Sequence, residues 1–275
     1  MLPMQTNRTP IKVYLLLDIS NLDGSLPRGG EKRIAFLTTV RNSTFENIVI
    51  LTGAGISAES GVRTFRDNGG LWEEHRLEDV ATPEAFARDP NLVQRFYNER
   101  RAQLEQVTPN AAHKALARLQ QESGGSVTIV TQNVDDLHER GGATDVIHMH
   151  GELRKIRCRA CATVLNWSGA CTQETNCPNC DRAPALRPHI VWFGEMPFHM
   201  DQIAKKLDAC DLFISVGTSG NVYPAAGFVA NVQARGGAHT IEVNLEASEG
   251  ASMFAECRHG KAGELLPQLV EEILN

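Results

Sequence analysis

Four short apolar runs mark the chain, and each is followed at once by glycine or small polar residues. They are Asn47-Ile-Val-Ile-Leu-Thr, Val127-Thr-Ile-Val-Thr, Leu212-Phe-Ile-Ser-Val and Thr240-Ile-Glu-Val. Continuous apolar runs of this length predict strands that are buried on both faces. Because open parallel sheets bind ligands at the carboxyl ends of their strands, the residues after these runs are candidates for a functional site.

Helical patterns lie between the predicted strands. The segment 109–121 places Ala112, Leu116 and Leu119 on one face, and the segment 265–274 predicts a closing helix. Apolar strands that alternate with helices are typical of an α/β fold, in which an open parallel sheet carries helices on both faces.

Composition narrows the class of protein. Of the 275 residues, 42% are hydrophobic and 22% are charged, as in ordinary globular proteins. The net charge of −6 argues against binding to a nucleic-acid backbone. The apolar run 13–17 ends at Asp18, too soon for a signal peptide and far short of the roughly 20 residues of a membrane span. We therefore expect a cytoplasmic protein with no nucleic-acid or membrane partner.

The first 44 residues carry no recognisable chemistry. Their stretch 21–32 is rich in Gly, Asp, Ser and Pro, which is typical of a loop or tail. We expect residues 1–44 to be a flexible N-terminal extension, and residues 45–275 to form the folded domain.

Five of the seven cysteines lie close together. The spacing Cys158-x2-Cys161-x15-Cys177-x2-Cys180 is typical of a four-cysteine zinc site. Four thiolates leave no open coordination position, so the pattern predicts one structural zinc ion (Zn2+) per chain. Cys171 belongs to neither pair, and we expect it to be a small, partly buried residue.

The segment Gly53-Ala-Gly55-Ile-Ser-Ala58 follows the first strand and fits the dinucleotide-binding fingerprint. A strand-to-helix turn that needs glycine for its geometry explains the same residues equally well. The polar, arginine-bearing stretch 61–66 comes next and suggests a loop that covers a nucleotide.

Two further segments have more than one interpretation from the residues alone. Asn133 and Asp135, after the second strand, can cap a helix or bind a ribose and a nicotinamide amide. His148 and His150, two residues apart, would share one face of a strand. A histidine there is either structural, exposed or a group for proton transfer.

Taken together, these segments resemble the sirtuins, a family of NAD-dependent protein lysine deacylases. The matching stretches, in family order from about residue 46 onward, are Gly53–Arg66, Thr131–Asp135, His148–Gly151, the four paired cysteines, Phe193–Glu195, Gly217–Ser219 and Asn244–Leu245. The resemblance implies a Rossmann-like parallel-sheet domain. It also implies a small inserted domain, made of a zinc-binding insertion at about 152–187 and a helical insertion at about 67–105.

The resemblance also implies roles for individual residues. NAD, the co-substrate, would be held by Gly53, Ala54, Gly55, Phe65, Arg66, Trp72, Gln132, Asn133, Val134, Asp135, Gly217, Thr218, Ser219, Asn244, Leu245 and Ala262. His150 would be the general base and would act with Asn133 and Asp135. The backbone of an acylated protein substrate would be added as a strand between segment 220–222 and Val191, Phe193, Gly194 and Glu195. The products would be nicotinamide, O-acyl-ADP-ribose and free lysine.

The acyl group is suggested by Tyr97 and Arg100, three residues apart on a predicted helix. A guanidinium and a phenol can hold a carboxylate, and Tyr-x-x-Arg at this point is similar to the sirtuin branch that removes succinyl and malonyl groups. The resemblance thus implies removal of acetyl and of succinyl or malonyl groups. The alternative is a solvated helix face, since Arg95 and Arg101 lie nearby.

Three other functions compete with the deacylase. An ADP-ribosyltransferase would use the same ribosyl chemistry with another acceptor. A non-catalytic zinc-ribbon module that senses NAD would have no need of the base His150. A dehydrogenase would need a hydride-accepting substrate site, for which the sequence offers no candidate.

Overall fold

The structure is a computed structural model that describes residues 45–62, the backbone of 71–72, and residues 75–275. The N-terminal extension expected at 1–44 lies outside these residues. Every helix in the described part of the chain falls short of the length and apolar character of a bilayer span.

The described residues form eleven strands and nine α-helices. The strands are β1 (Asn47–Thr52), β2 (Leu71–Trp72), β3 (His75–Arg76), β4 (Ser126–Thr131), β5 (Val146–His148), β6 (Gly151–Cys158), β7 (Val164–Asn166), β8 (Leu186–Ile190), β9 (Leu212–Val216), β10 (His239–Asn244) and β11 (Glu256–His259). The helices are α1 (Ala54–Ala58), α2 (Leu77–Val80), α3 (Pro83–Arg88), α4 (Pro90–Gln103), α5 (Ala111–Glu122), α6 (Leu137–Arg140), α7 (Met200–Ala209), α8 (Phe228–Arg235) and α9 (Ala262–Leu274). Short 3-10 helices cover Ala225–Gly227 and Ala251–Met253.

Six strands form a parallel sheet in the order β11-β10-β9-β1-β4-β5. The four predicted strands are its central members. The chain runs outward from β1 to β4 and β5, and then crosses back to β9, β10 and β11. The strand order therefore reverses between β1 and β9, and in open α/β sheets the crevice at such a reversal is where ligands bind.

The sheet is covered on both faces, as its apolar strands require. Ile48 and Ile50 of β1 face the cluster that includes α5 and α9. Val49 and Leu51 face the opposite cluster, which includes α7 and α8. Alternate residues of one strand thus enter two separate cores, which explains why the strand reads as a continuous apolar run.

Two helices differ in their bounds from the prediction. Helix α5 begins at Ala111 because the Asn110 side chain caps it, accepting a 2.8 Å hydrogen bond from the backbone N–H of Ala112. Helix α9 begins at Ala262, three residues earlier than predicted. The carboxylate of Glu59 accepts a 2.9 Å hydrogen bond from the N–H of Gly263, and so satisfies a donor of that first turn.

A smaller layer lies beside the main sheet. Strands β7, β6 and β8 form an antiparallel sheet that carries the cysteine pairs. Apolar residues of α3 and α4, including Phe86 and Phe96, pack with Leu153 of β6 and Ile190 of β8. The predicted fold class, a Rossmann-like parallel sheet with a small four-cysteine module, is confirmed. The boundaries of the two insertions remain predictions.

Candidate active site

The turn after β1 packs directly on the turn after β9. The N–H of Gly53 donates to the Val216 carbonyl at 2.9 Å, and that of Gly55 donates to the Gly217 carbonyl at 2.8 Å. A Cβ on Gly53 would lie 2.8 Å from the Gly217 oxygen, and one on Gly55 would lie 2.7 Å from the Gly217 Cα. Both glycines are therefore required by the close approach of two loops, which meet at the reversal of strand order.

A buried polar cluster lies beneath these loops. The hydroxyl of Ser57 donates to Oδ2 of Asp135 at 3.0 Å and accepts from Nδ2 of Asn133 at 3.1 Å. The Nε2 atom of His113 lies 3.5 Å from the same hydroxyl. Asn133 also donates to the carbonyl oxygen of Gly53 at 3.0 Å. The cluster thus joins α1, α5 and the loop after β4 into one rigid unit.

Burial governs the charges in this cluster. It raises the pKa of the Asp135 carboxyl, although hydrogen bonds from the Leu137 N–H and the Ser57 hydroxyl partly oppose the shift. Burial also lowers the pKa of His113 to about 4 and that of His138 well below its ordinary value. Both histidines are therefore neutral at pH 7. The Oδ1 atom of Asp135 also accepts a 3.1 Å hydrogen bond from the N–H of Leu137, the first residue of α6, although the residue at the cap position is Asp136.

His148 and His150 do not share a strand face, and that expectation is wrong. Strand β5 ends at His148, and the chain turns before it enters β6 at Gly151, where φ is +85°. The Nε2 atom of His148 lies 2.7 Å from Oε1 of Glu139, whereas Nδ1 of His150 lies 3.1 Å from the Gln132 carbonyl oxygen. The turn therefore gives the two histidines different partners.

These partners give the two imidazoles opposite pKa shifts. Burial is the largest effect on His148 and disfavours its charged form, but the hydrogen bond and charge of Glu139, together with the charge of Glu152, outweigh burial and raise the pKa. Burial lowers the pKa of His150, and the bond to the Gln132 carbonyl opposes this only in part. His148 is thus suited to an ion pair, and His150 is kept neutral.

Amide side chains connect the loops after β4, β9 and β10. Gln132 Nε2 donates to the Thr218 hydroxyl at 3.2 Å, and Asn244 Nδ2 donates to the Thr218 carbonyl at 2.8 Å. Asn244 also accepts from the N–H of Leu245, whose side chain is 66% exposed. Ala262 is buried at the start of α9.

The remaining predicted NAD residues in the described chain lie on the same edge of the sheet. Gly217, with φ of +61°, and Ser219 follow β9. The carbonyl oxygen of Val134 accepts a 2.8 Å hydrogen bond from the N–H of Leu153. Phe65 and Arg66 lie outside the described residues, and only the backbone of Trp72 is described.

The loop predicted to bind substrate, residues 191–195, is bonded through its first residue to the candidate base His150. The N–H of Val191 donates to the carbonyl oxygen of His150 at 2.9 Å. Phe193 is 50% exposed, and Gly194 has φ of +88°, a conformation that favours glycine. The Glu195 carboxylate accepts from the N–H of Trp192 at 2.9 Å, which closes the loop. The loop thus bonds to the backbone of His150 through Val191 and exposes the aromatic side chain of Phe193.

Tyr97 and Arg100 lie on α4, as predicted, but not on a solvated face. Tyr97 is fully buried, and its oxygen accepts a 3.0 Å hydrogen bond from the indole N–H of Trp192. Burial raises the pKa of Tyr97, so the phenol stays protonated. The Arg100 side chain is only 13% exposed; its guanidinium lies 4.9 Å from the ring centre of Phe96 and 3.7 Å from the Glu99 carboxylate.

Arg101 is a further reason to reject the solvated-face alternative. It is buried, and its guanidinium donates to the carbonyl oxygens of Leu153 at 2.7 Å and Gly169 at 3.1 Å. It also donates to Oδ1 of Asn98, whose Nδ2 in turn donates to the Cys171 carbonyl at 2.9 Å. These bonds attach α4 to the zinc module.

The four paired cysteines meet as predicted. The Sγ atoms of Cys158 and Cys180 are 3.7 Å apart, those of Cys161 and Cys177 are 3.8 Å apart, and all four sulfurs lie within 4.8 Å of one another. Zinc–sulfur bonds of about 2.3 Å in a tetrahedron would separate the sulfurs by about 3.8 Å, so this set fits one zinc ion. Cys171 is buried and stands outside the set.

Four residues with prominent contacts were not predicted from the sequence: Ser57, His113, Arg187 and Trp192. For Ser57 a signal existed, because a serine among the small and apolar residues 54–58 can reach a neighbouring loop. His113 and Trp192 contact residues 56 and 95 positions away, and a single sequence carries no sign of such pairs. Arg187 bonds to Glu195, only eight positions away, but across a loop whose conformation no sequence pattern predicts.

Residues 53–224 match the sequence pattern of the Sir2 family. Because the match spans more than half of the chain, this protein belongs to the Sir2 family, and the resemblance to the sirtuins is confirmed.

Similar sequences and a similar solved structure support the same family. The chain is 58% identical over 229 residues to a protein of Pasteurella multocida strain Pm70, covering 82% of this chain and 97% of that protein. It is 56% identical over 247 residues to a protein of Escherichia coli strain K12, covering 88% of each. Both are named NAD-dependent protein deacylase. A crystal structure of a Sir2 homolog–NAD complex superposes with a TM-score of 0.79 at 38% identity, covering 88% of this chain and 95% of that one.

Proposed function

We propose that this chain is an NAD-dependent deacylase of protein lysines. It would remove acetyl groups, and succinyl or malonyl groups, and release nicotinamide, O-acyl-ADP-ribose and free lysine. The name shared by the relatives supports the class of reaction. The observation that carries the proposal is the hydrogen bond between Nδ1 of His150 and the Gln132 carbonyl oxygen.

This bond decides which nitrogen of His150 can act as a base. A carbonyl oxygen only accepts hydrogen bonds, so the proton of the neutral imidazole resides on Nδ1. The lone pair is therefore on Nε2, and the lowered pKa of His150 keeps it available at neutral pH. In the proposed role, Nε2 takes a proton from a ribose hydroxyl.

The crevice between β1 and β9 has the groups that a dinucleotide needs. It lies at the reversal of strand order, and the amides of Gln132, Asn133 and Asn244 and the carboxyl of Asp135 all lie at this edge of the sheet. Amide and carboxyl groups suit ribose hydroxyls and the nicotinamide amide. When bound, NAD supplies the ribose carbon that accepts the acyl oxygen as its bond to nicotinamide breaks.

The substrate backbone would bind between the 191–195 loop and segment 220–222. The link from Val191 N–H to the His150 carbonyl places this loop beside the proposed base. Recognition through backbone hydrogen bonds, as in an added strand, tolerates many substrate sequences.

The range of acyl groups is proposed from Tyr97 and Arg100. Both side chains are largely buried on α4, and the phenol keeps its proton. A protonated phenol and a guanidinium can both donate to a carboxylate such as that of a succinyl or malonyl group. The small, neutral acetyl group needs neither donor.

Zinc has a structural role in this proposal. Four thiolates complete a tetrahedral site and leave no position for substrate. The metal would hold β6 and the two cysteine turns in place, and through Arg101 it would also support α4.

The test uses peptides of one sequence that carry acetyl, succinyl or malonyl on the same lysine. Each is incubated with NAD and the enzyme, and all products are followed by mass spectrometry. We expect nicotinamide, free-lysine peptide and the matching O-acyl-ADP-ribose in equal amounts. ADP-ribose attached to protein would favour the transferase, and NAD binding without turnover would favour the non-catalytic module.

A further inference from the structure

The indole N–H of Trp192 determines how the phenol of Tyr97 can bond. It donates to the phenol oxygen at 3.0 Å, and both side chains are buried. An indole nitrogen can only donate, so the phenol is the acceptor in this pair. The hydroxyl hydrogen of Tyr97 is therefore directed away from Trp192 and remains the donating end of the phenol.

Trp192 is itself held firmly from two sides. The guanidinium carbon of Arg187 lies 3.4 Å from the centre of the Trp192 ring, and the ring of Phe86 lies 5.2 Å from it. The Glu195 carboxylate accepts from the Trp192 backbone N–H at 2.9 Å. The indole can therefore adopt few other orientations.

Arg187 is anchored in turn by the substrate loop. Its two terminal nitrogens bond the two carboxylate oxygens of Glu195 at 2.7 and 2.9 Å, and one of them also bonds the Ile190 carbonyl at 2.9 Å. A cation over the face of an indole polarises its N–H, and linked hydrogen bonds strengthen one another. The chain of contacts thus runs from Glu195 through Arg187 and Trp192 to Tyr97.

We propose that Trp192 is a positioning residue for acyl specificity, which fixes Tyr97 as a hydrogen-bond donor toward the carboxylate of succinyl and malonyl groups. This inference rests on the proposed function, in particular on its succinyl activity. Tyr97 and Arg100 then offer donors from one helix, and a carboxylate, which only accepts, is the matching chemical group. An acetyl group has no carboxylate, so it gains nothing from this arrangement.

The experiment replaces Trp192 by phenylalanine, which keeps an aromatic ring and removes the N–H. The matched control is Trp167→Phe, since Trp167 lies in the zinc module and its indole donates to the Ala170 carbonyl. kcat and KM are measured for succinyl and acetyl peptides of one sequence. For Trp192→Phe we expect the ratio of the succinyl KM to the acetyl KM to rise by roughly 3- to 10-fold, because only the succinyl carboxylate loses a positioned hydrogen-bond donor.

A double variant tests whether the two residues act as a pair. If Trp192 acts through the phenol, Tyr97→Phe combined with Trp192→Phe is no worse toward succinyl peptide than Tyr97→Phe alone. Should Trp192→Phe fail to fold, benzothienylalanine at position 192 replaces the N–H by sulfur in a ring of nearly the same shape.

Equal losses for acetyl and succinyl peptides, or additive losses in the double variant, would overturn the inference. An enzyme that deacetylates but never desuccinylates would also overturn it, while the deacylase proposal would survive. Absence of both activities would instead refute the proposed function.

Discussion

The hydroxyl of Ser57 donates a 3.0 Å hydrogen bond to Oδ2 of Asp135, and so links the first helix after β1 with the loop after β4. Both residues are buried, and burial raises the pKa of the Asp135 carboxyl. This pair therefore holds a polar group of the candidate site in place without the help of solvent.

Removing that hydroxyl should destabilise the protein. Ser57→Ala leaves an oxygen of Asp135 buried without this donor, which costs about 1–3 kcal/mol of unfolding free energy. Urea denaturation measures the loss. Ser126→Ala is the matched control, because Ser126 is exposed at the start of β4, and it should change stability by no more than about 0.5 kcal/mol. Equal stability of the two variants would contradict a supporting role for Ser57.

The four-cysteine cluster predicts that two buried cysteines, Cys177 and Cys171, differ in their effect on zinc binding. Cys177→Ala should lose most of the bound zinc and lower the melting temperature, since metal binding by the four thiolates is coupled to folding. Cys171→Ala should keep one zinc per chain, because Cys171 stands outside the set. Metal analysis with thermal denaturation measures both. A zinc-free Cys177→Ala protein with an unchanged melting temperature would rule out a structural metal.

His150 should be required for turnover but not for binding. His150→Ala should lower deacylation by about 10²-fold or more, the scale of a lost general base, while calorimetry still detects NAD and peptide binding. The control is His199→Asn, since His199 is exposed and its φ of +62° is a conformation that asparagine tolerates. Near-normal turnover of His150→Ala would exclude the base role.

The pH profile should reflect the lowered pKa of His150. Protonation of the base abolishes its function, and burial places its pKa below the ordinary value of 6.5. The acidic limb of kcat/KM should therefore lie below pH 6.5, so activity persists as pH falls past the ordinary histidine range. Rates with acetyl peptide across this range measure the limb. A limb at or above pH 6.5 would mean that another group controls the reaction.

Arg100 should discriminate between acyl groups. Arg100→Met should sharply reduce desuccinylation, because a carboxylate buried without its cation loses several kcal/mol, and it should spare deacetylation. Arg95→Met, an exposed arginine on the same helix, should affect neither. The measurement is kcat and KM for succinyl and acetyl peptides of one sequence. If Arg100→Met lowers both activities equally, the arginine supports α4 and does not select the acyl group.

Much of the fold was predictable because it depends on local patterns. The apolar runs at 47–52 and 127–131 predicted central strands, since residues of a strand buried on both faces must all be apolar. The cysteine spacing predicted the four-sulfur cluster, because two short turns are enough to bring each pair to one metal. The starts of two helices were predicted less accurately. A capping side chain sets the observed start at Ala111, and a contact from Glu59 supports the one at Ala262.

The sequence by itself therefore determined the parallel sheet, the edge on which the candidate site lies, the cysteine set and the family. Only the tertiary structure decided which of two nearby histidines is neutral, since Glu139 and the Gln132 carbonyl lie 9 and 18 residues away along the chain. It also decided that Tyr97 accepts from Trp192, 95 residues further on. The reason is physical: hydrogen bonds and burial set charge and donor direction, and both depend on neighbours that folding brings together.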